Sequence, residues 1–186
     1  MKTLHLRVQQ QNSTALRMAK ILEAHPKVAH AYYPGLPSHP EHQLAKRQMT
    51  SFGGVVSFEI DGDFMRTIKF VDALKIPYIA PSFGGCESIV DQPATMSYWD
   101  LSQSDRIKYG MKDNLVRFSF GVEDFEDLKA DILQALETIW TVACFCFISH
   151  VHCCIGASID FYHQYVSCVA LTVALHYLFT FATQFV

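Results

Sequence analysis

Fixed charge stops at residue 138. All 15 Lys and Arg of the 186-residue chain lie before that point, and so does every Asp and Glu except Asp160. A water-facing globular surface is built on charged side chains, the residues least often buried. The stretch from Ile139 to Val186 therefore cannot follow the plan of what precedes it. Cysteine divides the same way: Cys86 stands alone ahead of the break, and Cys144, Cys146, Cys153, Cys154 and Cys168 crowd behind it. Two unrelated parts are expected. Residues 1–139 have the length for one domain with a real core, and residues 140–186 form an apolar extension to which no structure is assigned.

Three readings of the extension compete. Val166 to Val186 carries no formal charge and is near the length that spans a bilayer, which would make the chain a membrane-anchored interaction module. Basic flanks that would orient a span are missing. "CFCFISHVHCC" crowds Cys and His, but as C-x-C, H-x-H and C-C rather than the paired C-x-x-C of structural zinc sites. The reading adopted is a stretch never selected to fold, such as a translated non-coding extension. Elsewhere, a net charge of −3 with a pI near 6.3 gives no basic field for nucleic acid. "MKTLHLRVQQQN" has no apolar run before its glutamines, so no targeting segment is expected in it. The solitary Cys86 suits a reducing compartment.

Periodicity places the elements. Residues 3–24 read as helix, with Leu16, Ala19, Ile21 and Leu22 on an apolar face and a break near Asn12 capped by Ser13. "VAHAYYPG" reads as a strand stopped by Pro34-Gly35, and "SHPEHQLAKRQM" as a short helix with Pro40 near its first turn. "GGVVSFEIDGD" is a strand closed by an Asp-Gly turn. "FMRTIKFVDAL" is helical, with Phe64, Ile68, Val71 and Leu74 on one side. In "LVRFSFG" Val116, Phe118 and Phe120 face one way, and Leu115, Arg117 and Ser119 the other. "EDFEDLKADILQALETI" has an acidic first turn that suits a helix N-terminus, and Phe125, Leu128, Ile132 and Leu136 supply its stripe. Three or four strands interleaved with helices make a small α/β layer with helices on one sheet face.

Chemistry concentrates in few places. Arg117 leaves its strand opposite the aromatic row; it is either an ordinary exposed strand arginine or a guanidinium placed to clamp a carboxylate with two parallel hydrogen bonds. "APSFGGCESIV" offers a hydroxyl at Ser82 and bare backbone at Gly84 and Gly85. It is neither a dinucleotide fingerprint nor a phosphate loop, and pattern alone leaves a plain turn or a ligand-facing bend. His39, Glu41 and His42 form H-P-E-H, which lacks the arrangement of a metalloprotease helix and has no nearby Cys, so a solvated helix start is expected and no metal.

From "KFVDALKIPYIAPSFGGCESIV" through "NLVRFSFGVEDFEDLKADILQALETI" the chain resembles the C-terminal part of the pyridoxal-phosphate (PLP) enzymes of Cys/Met metabolism, in the plant-type cystathionine gamma-synthase branch. The likeness covers residues 1 to about 139 and includes "MKTLHLRVQQQN" and "SFGGVVSFEI". It implies a small substrate-binding domain with a mainly antiparallel sheet and helices on one face. It implies that Ser82 lines the pocket for an amino-acid substrate, that Arg117 binds the substrate's α-carboxylate, and that Gly84 and Gly85 permit close approach. The implied reaction is γ-replacement: an activated homoserine ester loses its γ-substituent and cysteine adds through sulfur to give cystathionine. A gamma-lyase activity of the same family is the alternative. Family members form homotetramers and work in plastid or cytoplasm. Their Schiff-base lysine lies upstream in a stretch that nothing here matches, so this chain alone is expected to be inactive.

Overall fold

The structure, a computed structural model, describes residues 2–139; the readings made for residues 140–186 fall outside them. Ten elements follow one another: α1 (Leu4–Ala24), β1 (Val28–Tyr32), α2 (His42–Gln48), β2 (Val55–Ile60), α3 (Phe64–Ala73), β3 (Tyr78–Ile79), β4 (Ile89–Asp91), α4 (Gln103–Lys108), β5 (Leu115–Ser119) and α5 (Phe125–Thr138). The strands form one sheet in the order β1-β2-β5-β4-β3, so β5, the last strand in sequence, lies in the middle. Pairing is antiparallel except between β3 and β4, which run parallel. This is the mainly antiparallel α/β domain expected from sequence. It has five strands rather than three or four, because β3 and β4 span two and three residues, too short to show a period.

One face of the sheet is covered. Val56, Phe58 and Ile60 of β2, Val90 of β4, and Val116, Phe118 and Phe120 in and after β5 are fully buried. They share a single cluster with Ala15, Met18 and Leu22 of α1, Phe70 and Val71 of α3, and Leu128, Ile132 and Leu136 of α5. Each fully buried Leu or Phe contributes about 1.5–3 kcal/mol, so this layer supplies the adhesion. The alternating partners on these strands, Ser57, Glu59, Leu115, Arg117, Ser119 and Asp91, point to the other face.

Two local expectations change. α1 runs unbroken through Asn12 and Ser13. The Asn12 side chain donates sideways to Ser51 Oγ at 2.9 Å instead of competing for its own backbone, which is how Asn usually breaks helices. In α3 the buried residues are Thr67, Phe70 and Val71 rather than Phe64 and Ile68. The buried face is turned toward Thr67, whose hydroxyl is satisfied by Asp63 O at 3.0 Å. α5 starts as its acidic first turn implies: Asp124 caps it, accepting from Glu126 N at 2.8 Å. A buried acid sits further along, and Asp131 accepts the backbone N–H of Lys75 and of Ile76 at 2.9–3.1 Å, pinning the chain at the entrance to β3.

Candidate functional site

The uncovered face carries the candidate site, and register assembles it. Tyr32 lies opposite Ser57, Ser57 opposite Arg117, and Arg117 opposite Asp91. Directly opposed residues share a face, so a polar row crosses four strands. One row along the strands, Ser119 opposes Ile89, which opposes Tyr78. In the next row on the other side His30 opposes Glu59, which opposes Leu115.

The bend of residues 80–88 lies against the end of this face. The Gly84 amide donates to Ser119 Oγ at 3.3 Å, and the exposed Phe83 ring sits 5.5 Å from the Arg117 guanidinium carbon. From the other side α1 holds the bend: Gln11 Nε2 donates to Gly85 O at 2.8 Å, and Arg7 Nη1 lies 3.6 Å from Cys86 Sγ. A third anchor comes from Ser88. Its amide and hydroxyl donate to the two Glu123 carboxylate oxygens at 2.6 and 2.9 Å, and the same hydroxyl accepts from Gly121 N at 2.9 Å.

Arg117 and the bend are therefore brought together. Ser82 is exposed beside Phe83. Gly84 has a φ of +84° with open space where a side chain would go, so its conformation requires glycine. Gly85 has no such φ, and a methyl there would meet only the end of Glu87 at 3.2 Å. The close backbone approach occurs instead at Gly121, where a methyl group would collide with Cys86 O and come within 2.6 Å of Glu87 C. His39 and His42 are engaged locally, His39 Nδ1 accepting from Glu41 N at 3.1 Å and His42 Nδ1 lying 2.7 Å from Pro34 O. Among the described residues no three metal-binding side chains converge, and no helix is long and apolar enough to cross a membrane.

Two carboxylates on this face are perturbed in opposite directions. Asp91, with a side chain 1% exposed, lies 3.0 Å from Arg117 Nη2. Burial pushes its carboxyl above the ordinary range, against the pull of the Arg117 charge and a bond from Ser97. Glu59 is buried too, but bonds from Lys112 (2.8 Å) and Tyr32 (2.6 Å) outweigh the burial and hold its carboxyl below the usual value. The same bond, with burial, lifts the Tyr32 phenol to about 12.

The Arg117–Asp91 contact is a charge pair without a hydrogen bond. Nη2 is buried yet donates to no acceptor, and Asp91 Oδ1 accepts from no donor. Among the described residues nothing takes any of Arg117's N–H groups. The side chain is one-quarter exposed: Nη2 is buried against Asp91, while Nε and Nη1 are left unpaired on the open face.

Comparison with known proteins places this architecture. The sequence model of Cys/Met metabolism PLP-dependent enzymes matches residues 1–137. The chain belongs to this family. It is 87% identical over 139 residues to cystathionine gamma-synthase 1, chloroplastic, of Arabidopsis thaliana, covering 75% of this chain and 25% of that one. To the protein of the same name from Nicotiana tabacum it is 86% identical, over 75% of this chain and 26% of the relative. A cystathionine gamma-lyase of Dictyostelium discoideum is 42% identical over 74% of this chain and 35% of its own. The chain thus spans about a quarter to a third of the length of these curated relatives. The family match ends at Glu137, the last fixed charge before the apolar extension.

The residues that sequence reading of this Cys/Met-family chain missed are Asp91, Ser119, Ser88, Glu123 and Gly121. Asp91 was legible only through register, which sets it opposite Arg117. The others act as side-chain or backbone anchors between loops distant in sequence, and no local pattern announces them.

Proposed function

We propose that residues 1–139 are the substrate-binding domain of a cystathionine gamma-synthase, in which Arg117 holds the α-carboxylate of an activated homoserine and Ser82 lines the same pocket. The single observation that carries this is a guanidinium whose Nε and Nη1 are unpaired on the open sheet face, beside a bend on which Ser82 is also exposed. A planar cation with unpaired N–H groups is a charge-assisted donor to a carboxylate, and its fixed geometry adds direction as well as energy. Support for synthase over lyase comes from the much higher identity to the plant synthases. That these relatives are chloroplastic also favours a plastid for the whole protein, working as the family's homotetramer.

The groups around Arg117 are a carboxylate, hydroxyls, an aromatic ring and backbone amides. None is an amine, so they fit the amino-acid side of PLP and not its aldehyde. When bound, PLP supplies an electron sink for the substrate's Cα–H bond. What these residues do is narrower. Arg117 fixes one end of the substrate; Gly84 and its amide bond to Ser119 fix the bend; Phe83 shields the guanidinium from water on one side. Fixing the carboxylate aims the Cα–H bond, and such positioning is worth several kcal/mol in a barrier.

The experiment is a titration of the full chain with L-homoserine, followed at arginine side-chain NMR signals. Movement of the Arg117 signal is expected, together with weaker L-homoserine binding by Arg117→Lys in calorimetry. Equal binding by Arg117→Lys would sink the reading. The chain given PLP and an O-activated homoserine is expected to show no turnover, because the Lys112 amine on this face is tied to Glu59 at 2.8 Å and no other described group beside Arg117 is an amine. Turnover that is lost on borohydride reduction would overturn that part alone.

A further inference from the structure

The polar row supports one more step, which rests on the reading of Arg117 as a carboxylate clamp. We propose that Asp91 is a positioning residue for Arg117: its buried carboxylate holds the Nη2 end of the guanidinium by charge, so that Nε and Nη1 stay unpaired toward an amino-acid carboxylate.

Three observations converge. Register puts Asp91 directly opposite Arg117 on the open face, and its side chain is 1% exposed, so it is fixed in the strand layer and out of a ligand's reach. The two charges are 3.0 Å apart, yet neither Arg117 Nη2 nor Asp91 Oδ1 takes part in a hydrogen bond. An arginine and a carboxylate free to choose form two parallel N–H···O bonds. An Asp91 that did so would occupy a second guanidinium nitrogen and leave less of Arg117 for a ligand. Third, Asp91 gains little local support for being buried. Ser97 donates to it only at 3.4 Å, and a buried carboxylate lacking good bonds is costly. A residue kept for fold stability alone would be expected to use its bonding capacity.

Arg117 has one other holding contact. Its guanidinium carbon lies over the exposed Phe83 ring, 5.5 Å from the centroid, a cation–π contact. Without Asp91 that exposed ring alone holds the side chain, which is then free to swing into water. Recovering it on each binding event costs the ordering of one long side chain, roughly tenfold in affinity.

The test uses the full 186-residue chain with isotope-labelled arginine, and acetate as the carboxylate probe. Two quantities are read: restriction of guanidinium rotation at Arg117, and acetate affinity. In the wild type, rotation should be restricted. In Asp91→Asn, which keeps the shape and removes the charge, the restriction should vanish and acetate should bind about tenfold more weakly. Electrostatic repulsion alone predicts the opposite sign, since removing a like charge would tighten acetate binding. Unchanged or tighter binding by Asp91→Asn therefore overturns the proposal, whatever happens to the rotation. If Asp91→Asn does not fold, the wild-type spectrum decides, because a freely rotating Arg117 guanidinium is incompatible with being held. If Arg117→Lys takes up acetate as well as the wild type, the clamp reading falls, and the rotation measurement still decides whether Asp91 holds Arg117.

Discussion

Gly121→Ala is expected to pry the bend off the sheet. A methyl group there would collide with Cys86 O and the Glu123 carboxylate and lie 2.6 Å from Glu87 C. Glu123 is the end of a flexible side chain, but Cys86 O and Glu87 C are backbone and cannot step aside alone. The segments must separate, which breaks the Val122 N–H bond to Cys86 O (2.8 Å) and the Gly121 N–H bond to Ser88 Oγ (2.9 Å). Two hydrogen bonds at about 1 kcal/mol each, plus about 1–3 kcal/mol for forced repacking, give a loss of roughly 3–5 kcal/mol. Unfolding entropy is about 2.1 cal/mol/K per residue. Over the described domain this makes roughly 0.29 kcal/mol/K, and the melting temperature should fall by about 10–17 °C. The assay is thermal unfolding of the full chain followed by circular dichroism, with Gly85→Ala beside it. Gly85 lacks a positive φ, and its methyl would meet only the mobile Glu87 Oε2 at 3.2 Å, so that variant should stay within about 1 kcal/mol of the parent. Peptide-resolved alkylation should also show Cys86 reacting faster in Gly121→Ala. If Gly121→Ala melts within about 3 °C of the parent, the packing argument for the bend is wrong.

Asp131→Ala removes the acceptor of two backbone N–H groups at Lys75 and Ile76; the loss should be about 3–5 kcal/mol, with amide exchange accelerated first at those two residues. Ser88→Ala leaves the buried Gly121 N–H without a partner and should cost about 1–3 kcal/mol, checked by urea unfolding. The two perturbed carboxylates predict opposite pH slopes. The Asp91 carboxyl is raised, so its contribution is complete below the ordinary Asp value and is lost as pH rises through the raised one. The Glu59 carboxyl is lowered, so its contribution is present above the ordinary Glu value and is lost as pH falls through the lowered one. Urea midpoints over roughly pH 3–7 should therefore fall less steeply with rising pH in Asp91→Asn and less steeply with falling pH in Glu59→Gln; the same slope change in both variants would contradict the assignment.

The covered half of the domain was legible because burial writes a period into the chain. Val116, Phe118 and Phe120 alternate, Leu128, Ile132 and Leu136 recur at helical spacing, and both patterns are found as read. Where burial is one-sided or brief the signal fades. Tyr78 and Ile79 in β3 are both exposed, so only the apolar run 76–80 reads as strand-like there, and β4 buries only Val90 and Asp91 outright, so neither strand alternates. Asn12 looked like a helix break because local propensity favours one; Ser51, 39 residues away, supplied the partner that removed it.

The site was half legible for a related reason. Arg117 shows in the sequence because alternation fixes which way it points, and that needs only its own strand. Its partner does not show, because Asp91 becomes the opposite number of Arg117 only once β4 pairs antiparallel with β5 in one register. A slip of one residue would turn the side chain at that place to the covered face. The register is held from outside the pair by the Ser88–Glu123 and Gly121–Ser88 bonds at one end and by the Gln92 side-chain bond to Asp113 O at the other. Those anchors set how far apart the two charges stand. The unpaired Nε and Nη1 of Arg117 are thus a property of how two loops are tied down, and a substitution in either loop that leaves both charges in place should still let Asp91 take them up.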